Sequence, residues 1–425
     1  MRSSARESST PPIHHPLALQ ARAASRDLAL IERGRKDAWL QKLIDHLIQQ
    51  ESVVLAANKQ DVAAAMSAGQ SPAFIDRLTL NRARLIDIRN SLCNLISLSD
   101  PVGEVISTTT RPNGLLVQKI RVPLGVLFFI YESRPNVTID AAALAIKSGN
   151  AIILRGGKEA AHSNAALMEC ITLACRDAGL PEHAVQLVTD PDRTIVTRLL
   201  KEEKHIDLVI PRGGEGLIRT VVAESHVPVL KHYQGICHLY VDRQADPHIA
   251  VDILINGKCQ RPGVCNALET LLVHDGIAPD FFSLAAPALA EHQVEVRGCP
   301  RTLQLLPKAR LATDMDYATE YLALILSCKV VRNIDEAITH IQRYSSGHSE
   351  AIITNNEATA KRFTSEIDSA ALFVNASTRF HDGYELGLGA EIGISTDKMH
   401  ARGPCGLVEL TSYKYVIVGS GHVRS

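Results

Sequence analysis

The chain has 425 residues, 45 Lys+Arg against 46 Asp+Glu, 46% hydrophobic and 21% charged. At roughly 150 residues per domain the length predicts two or three domains with large cores, and the composition excludes a largely disordered chain. A net charge of −1 without a basic patch excludes a general polyanion binder, so no nucleic-acid partner is expected.

Residues 1–20 read as a flexible tail. Arg2, Arg6 and a Ser/Thr/Pro cluster stand where a signal peptide would need a continuous apolar stretch. His14 and His15 read as solvated rather than metal-binding. Helical periodicity follows, with Trp39, Leu40, Leu43, Ile44, Leu47 and Ile48 recurring at i, i+1, i+4 and i+5. Further helices are predicted over 61–68 and 80–97. From 120 to 375 short β-branched runs alternate with helical stretches. Strands are predicted over 122–131, 151–155, 185–188, 206–210 and 238–241, with helices over 140–148 and 159–178. The run 122–131 is too short to span a membrane, so a soluble, cytoplasmic protein without a membrane partner is expected. The alternation resumes with strands at 268–273, 330–332, 351–354 and 372–374 and helices at 279–290, 334–344 and 357–367. Such βα alternation implies mostly parallel sheets covered by helices. Its extent fits two α/β domains. Two β-rich pieces, 114–122 and 413–418, lie outside it. Each reads as an arm that pairs elsewhere, either in an oligomer or as a solvent-covered hairpin.

Several motifs bear on chemistry. Gly387-Leu-Gly389-Ala-Glu-Ile-Gly393 is one residue too long for a dinucleotide fingerprint, and no strand feeds it. Arg155-Gly-Gly-Lys158 and Arg212-Gly-Gly-Glu-Gly216 are better placed, each between a buried-type strand and a helix. Helix N-termini at strand ends attract anions. Arg155, Lys158 and Arg212 add positive charge, while Gly213 and Gly214 let the backbone approach. The pair of turns suggests a phosphorylated ligand, although glycine turns also occur without one. Nine scattered cysteines do not make a disulfide framework, and Cys170/Cys175 and Cys259/Cys265 lack zinc-site spacing. No metal is expected. Cys265 stands apart, on a polar Gly- and Pro-bearing loop with Lys258 and Arg261 nearby, where a thiolate nucleophile is plausible chemistry. Asn266 beside it is placed to orient a substrate.

Eight segments then occur in order. They are Val122-Pro-Leu-Gly-Val126, Tyr131-Glu-Ser-Arg-Pro-Asn-Val137, Gly149-Asn-Ala-Ile-Ile-Leu-Arg-Gly-Gly-Lys-Glu159 and Ile210-Pro-Arg-Gly-Gly214. Further on stand Gln260-Arg-Pro-Gly-Val-Cys-Asn266, Val374-Asn-Ala-Ser-Thr-Arg-Phe380, Gly387-Leu-Gly-Ala-Glu391 and His400-Ala-Arg-Gly-Pro404. From about residue 20 onward the chain resembles the γ-glutamyl phosphate reductases, a family of the aldehyde dehydrogenase superfamily. The resemblance implies an aldehyde-dehydrogenase-like α/β fold of two parallel-sheet domains with a β-arm for oligomerisation. The expected organisation is a tail (1–20), a cofactor-binding domain (21–231) interrupted by the arm (108–121), and a catalytic domain (232–392). A return segment with a C-terminal oligomerisation strand (393–425) completes it. The sequence lacks a preceding kinase-like domain, which resembles the stand-alone bacterial form. A homo-oligomer and a functional association with a separate glutamate 5-kinase are expected.

The resemblance also implies roles. Cys265 takes the nucleophile's place. The loop after strand 151–155 holds the cofactor's adenosine ribose. NAD-using relatives commonly carry a carboxylate where this chain has Lys158, and a cation there favours the 2′-phosphate of NADP. NADPH/NADP is therefore the expected cofactor, held by Arg155, Lys158, Arg212, Gly213 and Gly214. Glu320 resembles the glutamate that holds the nicotinamide ribose, its alternative being a surface helix position. Hydrolytic relatives carry a glutamate before Gly-Gly; the matching Lys231-His-Tyr-Gln-Gly235 has no carboxylate, and no general base is apparent beside Cys265. The implied reaction is reduction of L-glutamate 5-phosphate, a small-molecule acyl phosphate, to its semialdehyde, the second step of proline biosynthesis. The Cys265 N–H and the Asn136 amide are candidate oxyanion donors, Asn136 being equally placed to cap the following helix. Arg134, Ser377 and Arg379 are expected to meet substrate anions, or to serve in structural ion pairs. Rival readings are another acylating aldehyde dehydrogenase and an inactive binding protein of the same fold.

Overall fold

The computed structural model describes residues 15–424; His14 and most of the expected tail lie outside them. A helix, Pro16–Leu28, corrects the expectation of a loose tail to residue 20. Pro16 starts it with a preset φ, the His15 ring accepts from the Leu17 N–H, and Ala18, Ala21 and Leu28 are fully buried. The chain divides into two compact units. One comprises the residues up to Gly213, Thr220–Val229 and Leu410 onward; the other comprises Gly214–Arg219 and Leu230–Glu409. The boundary expected at 393 therefore falls inside the second unit. Among the described residues no helix is long and apolar enough to cross a membrane.

The first unit contains β1 (Val105–Thr110), β2 (Leu116–Pro123), β3 (Val126–Tyr131), β4 (Ala151–Arg155), β5 (Val185–Leu187) and β6 (Leu208–Arg212). A four-stranded parallel sheet runs in the order β5-β4-β3-β6. All six residues of β3 are buried, as an inner parallel strand covered on both faces requires. The single strand predicted over 122–131 is instead broken at Gly125, whose φ is +128°. A Cβ there would also lie 2.2 Å from Asp207 Oδ2, so only glycine fits. Trp39, Leu40, Leu43 and Leu47 of the helix Arg33–Gln49 are fully buried and pack on the helix Ala161–Ala178. Ile48 is 55% exposed, so the apolar stripe is narrower than the sequence pattern. The start of Ala161–Ala178 is held by Asp61, which is buried and accepts from the Ser163 N–H at 2.7 Å and the His162 N–H at 3.2 Å. A carboxylate at a helix N-terminus satisfies free N–H groups and complements the dipole. It also steadies the preceding turn, 155–158.

The second unit contains β7 (Cys237–Val241), β8 (Leu268–His274), β9 (Glu295–Gly298), β10 (Arg310–Leu311), β11 (Ile325–Val331), β12 (Ser349–Ile353) and β13 (Ala371–Val374). They form one parallel sheet, β10-β9-β11-β8-β7-β12-β13. Alternate residues feed opposite cores: Leu239, Leu271 and Ala351 one, Tyr240, Leu272 and Ile352 the other. The edge strand β10 and its neighbour β9 were not anticipated, because Glu295, Arg297 and Arg310 make them too polar to read as strands. These charges pair with one another and with Asp316 at the sheet edge. β11 begins five residues before its predicted start.

A two-stranded piece, β14 (Ile394–Ser395) with β15 (Gly403–Pro404), precedes the C-terminal β16 (Thr411–Val418). β16 pairs antiparallel with β2, Tyr413 opposite Arg121, completing a sheet β1-β2-β16. The two β-rich pieces of the sequence thus pair with each other. Tyr413, Tyr415 and Ile417 stay largely exposed along β16.

Lys258, at the end of the helix Pro247–Cys259, and Glu269, in β8, form a fully buried ion pair at 2.7 Å. Lys258→Met leaves a buried carboxylate without its cation. It should cost about 3–5 kcal/mol in chemical denaturation, whereas Lys258→Met with Glu269→Leu should recover most of that loss. Equal stability of the single and double variants would show that the pair does not clamp this region.

Candidate active site

Cys265 lies on the loop between the helix Pro247–Cys259 and β8 and is half-buried. Its carbonyl accepts from the Cys237 thiol at 3.2 Å. Gly235 passes so close that a Cβ on it would lie 1.9 Å from the Cys265 carbonyl oxygen. Any side chain there would displace the loop that carries Cys265. Among the described residues the Cys265 N–H has no acceptor, which leaves it available to an oxyanion.

Two imidazoles flank the thiol. The Cys265 sulfur and one ring nitrogen each of His232 and His348 lie within 4.8 Å of one another. The Nδ1 of His232 lies 2.8 Å from the carbonyl oxygen of Ile394. A carbonyl only accepts, so Nδ1 carries the proton and Nε2 the lone pair. His348 is buried, its Nδ1 2.7 Å from Ser349 Oγ, which lies 2.7 Å from His381 Nδ1. Burial, then repulsion from His348 and His232, lowers His381 to about 3, so it is neutral at neutral pH. The expectation that no base stands beside Cys265 is therefore corrected. His232 belongs to the very segment, Lys231–Gly235, that was read for its missing carboxylate. His348 has no local signature and is brought in by β12.

The other expected residues of this unit gather near the thiol. Burial raises the Glu320 pKa, and the nearby Gly235 N–H opposes that shift. Asn266 is buried with its amide committed: it donates to the carbonyls of His381 (3.1 Å) and Arg379 (3.4 Å) and accepts from the Arg379 guanidinium. That is a positioning role rather than the substrate contact expected from sequence. Ser377, also buried, accepts from the Arg379 N–H at 3.2 Å, and Arg379 Nε donates to Gln260 at 2.9 Å. Arg379 borders a cavity of about 240 Å³ that Asn256, Asp382 and Glu385 also line.

In the first unit the remaining residues collect at the carboxyl ends of neighbouring strands, where open parallel sheets take ligands. Arg134 and Asn136 follow β3, Arg155 and Lys158 end β4, and Arg212 and Gly213 end β6. The Glu132 N–H donates to the Arg212 carbonyl at 3.1 Å, joining two of these loops. Arg155 donates to the carbonyl of Gly156. Lys158 is exposed and has no ion-pair partner among the described residues, as a cation kept for a ligand phosphate would be. Asn136 opens the helix Asn136–Lys147 as its first residue, Pro135 holding the cap position. Its amide donates to Asp140 at 3.0 Å, and burial pushes that carboxyl up to about 6. The expected capping role is thus not seen. Gly214 belongs to the second unit, just before the helix Glu215–Glu224.

A model of the aldehyde dehydrogenase family matches residues 18–302. The chain belongs to the aldehyde dehydrogenase family. Several relatives that match over nearly the full length are γ-glutamyl phosphate reductases. That of Carboxydothermus hydrogenoformans is 53% identical over 408 residues, 96% of this chain and 98% of the relative. That of Rhodopirellula baltica is 53% identical over 408 residues, 96% of this chain and 94% of the relative. The crystal structure of the Thermotoga maritima γ-glutamyl phosphate reductase superposes with a TM-score of 0.94 at 47% identity, covering 96% of this chain and 99% of that one. The fold read from sequence is therefore this family's.

A hydroxyl is a far weaker acid than a thiol. Cys265→Ser should lower turnover by orders of magnitude while circular dichroism and cofactor binding stay unchanged. Cys259→Ser, six residues away, should keep most activity. Near-normal turnover in Cys265→Ser would remove Cys265 as the nucleophile.

Proposed function

We propose that the chain reduces L-glutamate 5-phosphate to L-glutamate 5-semialdehyde with NADPH, releasing phosphate, in the biosynthesis of proline. The observation that carries this reading is identity above 50% to γ-glutamyl phosphate reductases over nearly the whole length of both chains. Neither rival, another acylating dehydrogenase or an inactive protein, accounts for it together with a cysteine between two imidazoles.

We assign the chain's own groups the following roles. His232 Nε2 takes the Cys265 thiol proton, and the sulfur attacks the acyl phosphate carbonyl. The oxyanion accepts from the Cys265 N–H. Phosphate departs and leaves a thioester on Cys265. The hydride that turns this thioester into a thiohemiacetal is what a bound nicotinamide cofactor supplies. Collapse of the thiohemiacetal releases the aldehyde and frees the sulfur, and His232 returns the proton. Arg379, held by Asn266 and Gln260, is the cation offered to a substrate anion in this unit. Glu320 is assigned the nicotinamide ribose.

Nicotinamide cofactor use is general in this family. The choice of NADPH rests on Lys158. A cation at that position contributes a charge-assisted contact to the 2′-phosphate, about 1.5 kcal/mol at an exposed site. Lys158→Glu should therefore weaken NADPH roughly tenfold more than NADH in fluorescence titrations. Equal losses would place Lys158 away from the cofactor.

In the oxidative direction the Cys265 thioester must be resolved by phosphate. NADP+ reduction with glutamate semialdehyde should depend strongly on added phosphate, and arsenate should replace it. Rapid, sustained oxidation in buffer lacking both would assign the chain to hydrolytic chemistry instead.

A further inference from the structure

We propose that His232, Cys265 and His348 form a binding site for a soft divalent cation such as Zn2+, and that its occupancy blocks the catalytic thiol. The three donor atoms already lie within 4.8 Å of one another. A tetrahedral zinc site holds thiolate and imidazole donors about 3.3–3.6 Å apart, so small side-chain rotations close the set. Both imidazoles have the outer-shell support that metal-bound histidines have. His232 Nδ1 donates to the Ile394 carbonyl at 2.8 Å, which leaves Nε2 as the ligand atom. His348 Nδ1 rests on Ser349 Oγ at 2.7 Å, itself against His381.

The donor set is one sulfur and two nitrogens, which favours Zn2+, Cd2+ or Co2+ over Mg2+ and Ca2+. Three protein ligands leave a fourth position for water. Binding exchanges the thiol proton for the metal and involves no redox step: the S–H bond breaks, the S–metal bond forms, and one proton is released. The ligands come from three separate segments, which is why cysteine spacing did not point to a metal. The blocking effect, but not the binding, rests on Cys265 being the nucleophile.

The test uses the full chain and Cd2+, whose bond to a thiolate gives an ultraviolet charge-transfer band. Titration should raise this band to one ion per chain, and Zn2+ should compete it away. X-ray absorption of the Zn2+ form should show one sulfur and two imidazole nitrogens. His232→Gln and His348→Gln should each weaken binding by more than about tenfold, the loss that follows from removing even an outer-shell partner. Cys265→Ser should abolish the band and Cys259→Ser should leave it unchanged. Zn2+ should inhibit the wild-type enzyme in proportion to occupancy, and EDTA should restore it. A band that survives Cys265→Ser, or a zinc shell without sulfur, would overturn the site. Full activity at full occupancy would overturn the blocking effect.

Discussion

The buried pair Lys258–Glu269 is the constraint on which the active-site loop depends. Two charges taken out of water cost several kcal/mol each, and they are tolerated only when they meet at close range and their remaining valences are filled. Here the pair is 2.7 Å apart, and the other oxygen of Glu269 accepts from the Leu322 N–H at 3.2 Å. Burial pushes the Glu269 carboxyl up and the Lys258 ammonium down, while each partner pulls the other back. The residues that carry these charges bracket the loop that contains Cys265. A loop rich in Gly, Pro and polar groups has little core of its own, and the pair closes it at both ends. Through Leu322 the same carboxylate also anchors the segment that bears Glu320.

A second constraint is steric. The Gly235 backbone lies against the Cys265 carbonyl. One glycine therefore links the strand entry at β7 with the loop that carries Cys265. His232, three residues earlier, inherits its position from the same stretch of backbone. A main-chain carbonyl rather than a carboxylate sets the tautomer of its neutral form, with the lone pair on Nε2.

In the first unit position is imposed by topology. Parallel strands in the order β5-β4-β3-β6 bring the ends of β4, β3 and β6 side by side, so loops from three distant parts of the chain become neighbours. Asp61 pins the helix that follows β4 and thereby the turn carrying Lys158.

Much of this was legible in the amino-acid sequence. The strand Ala151–Arg155 and the helix Ile334–Tyr344 stand where periodicity placed them, because a short apolar run and a clean amphipathic repeat are local properties. Gly179, at φ 62°, ends its helix where the Gly-Leu-Pro signal stands. Cys265 and Lys158 stand out from the chemistry of their local motifs, whereas Arg379 is picked out only by the family resemblance. The sequence could not reveal the break at Gly125, which depends on Asp207, a residue distant in sequence, nor the polar strands β9 and β10 at the sheet's edge, where β9 pairs with β11 and β10 with β9. It could not show that Asn266 is spent on Arg379 and His381. Above all, His232 and His348 meet at Cys265 only because β7, β8 and β12 are adjacent in the sheet. Local pattern determines what each segment is, whereas strand order determines which side chains share a space, and that order is decided by burial over the whole chain.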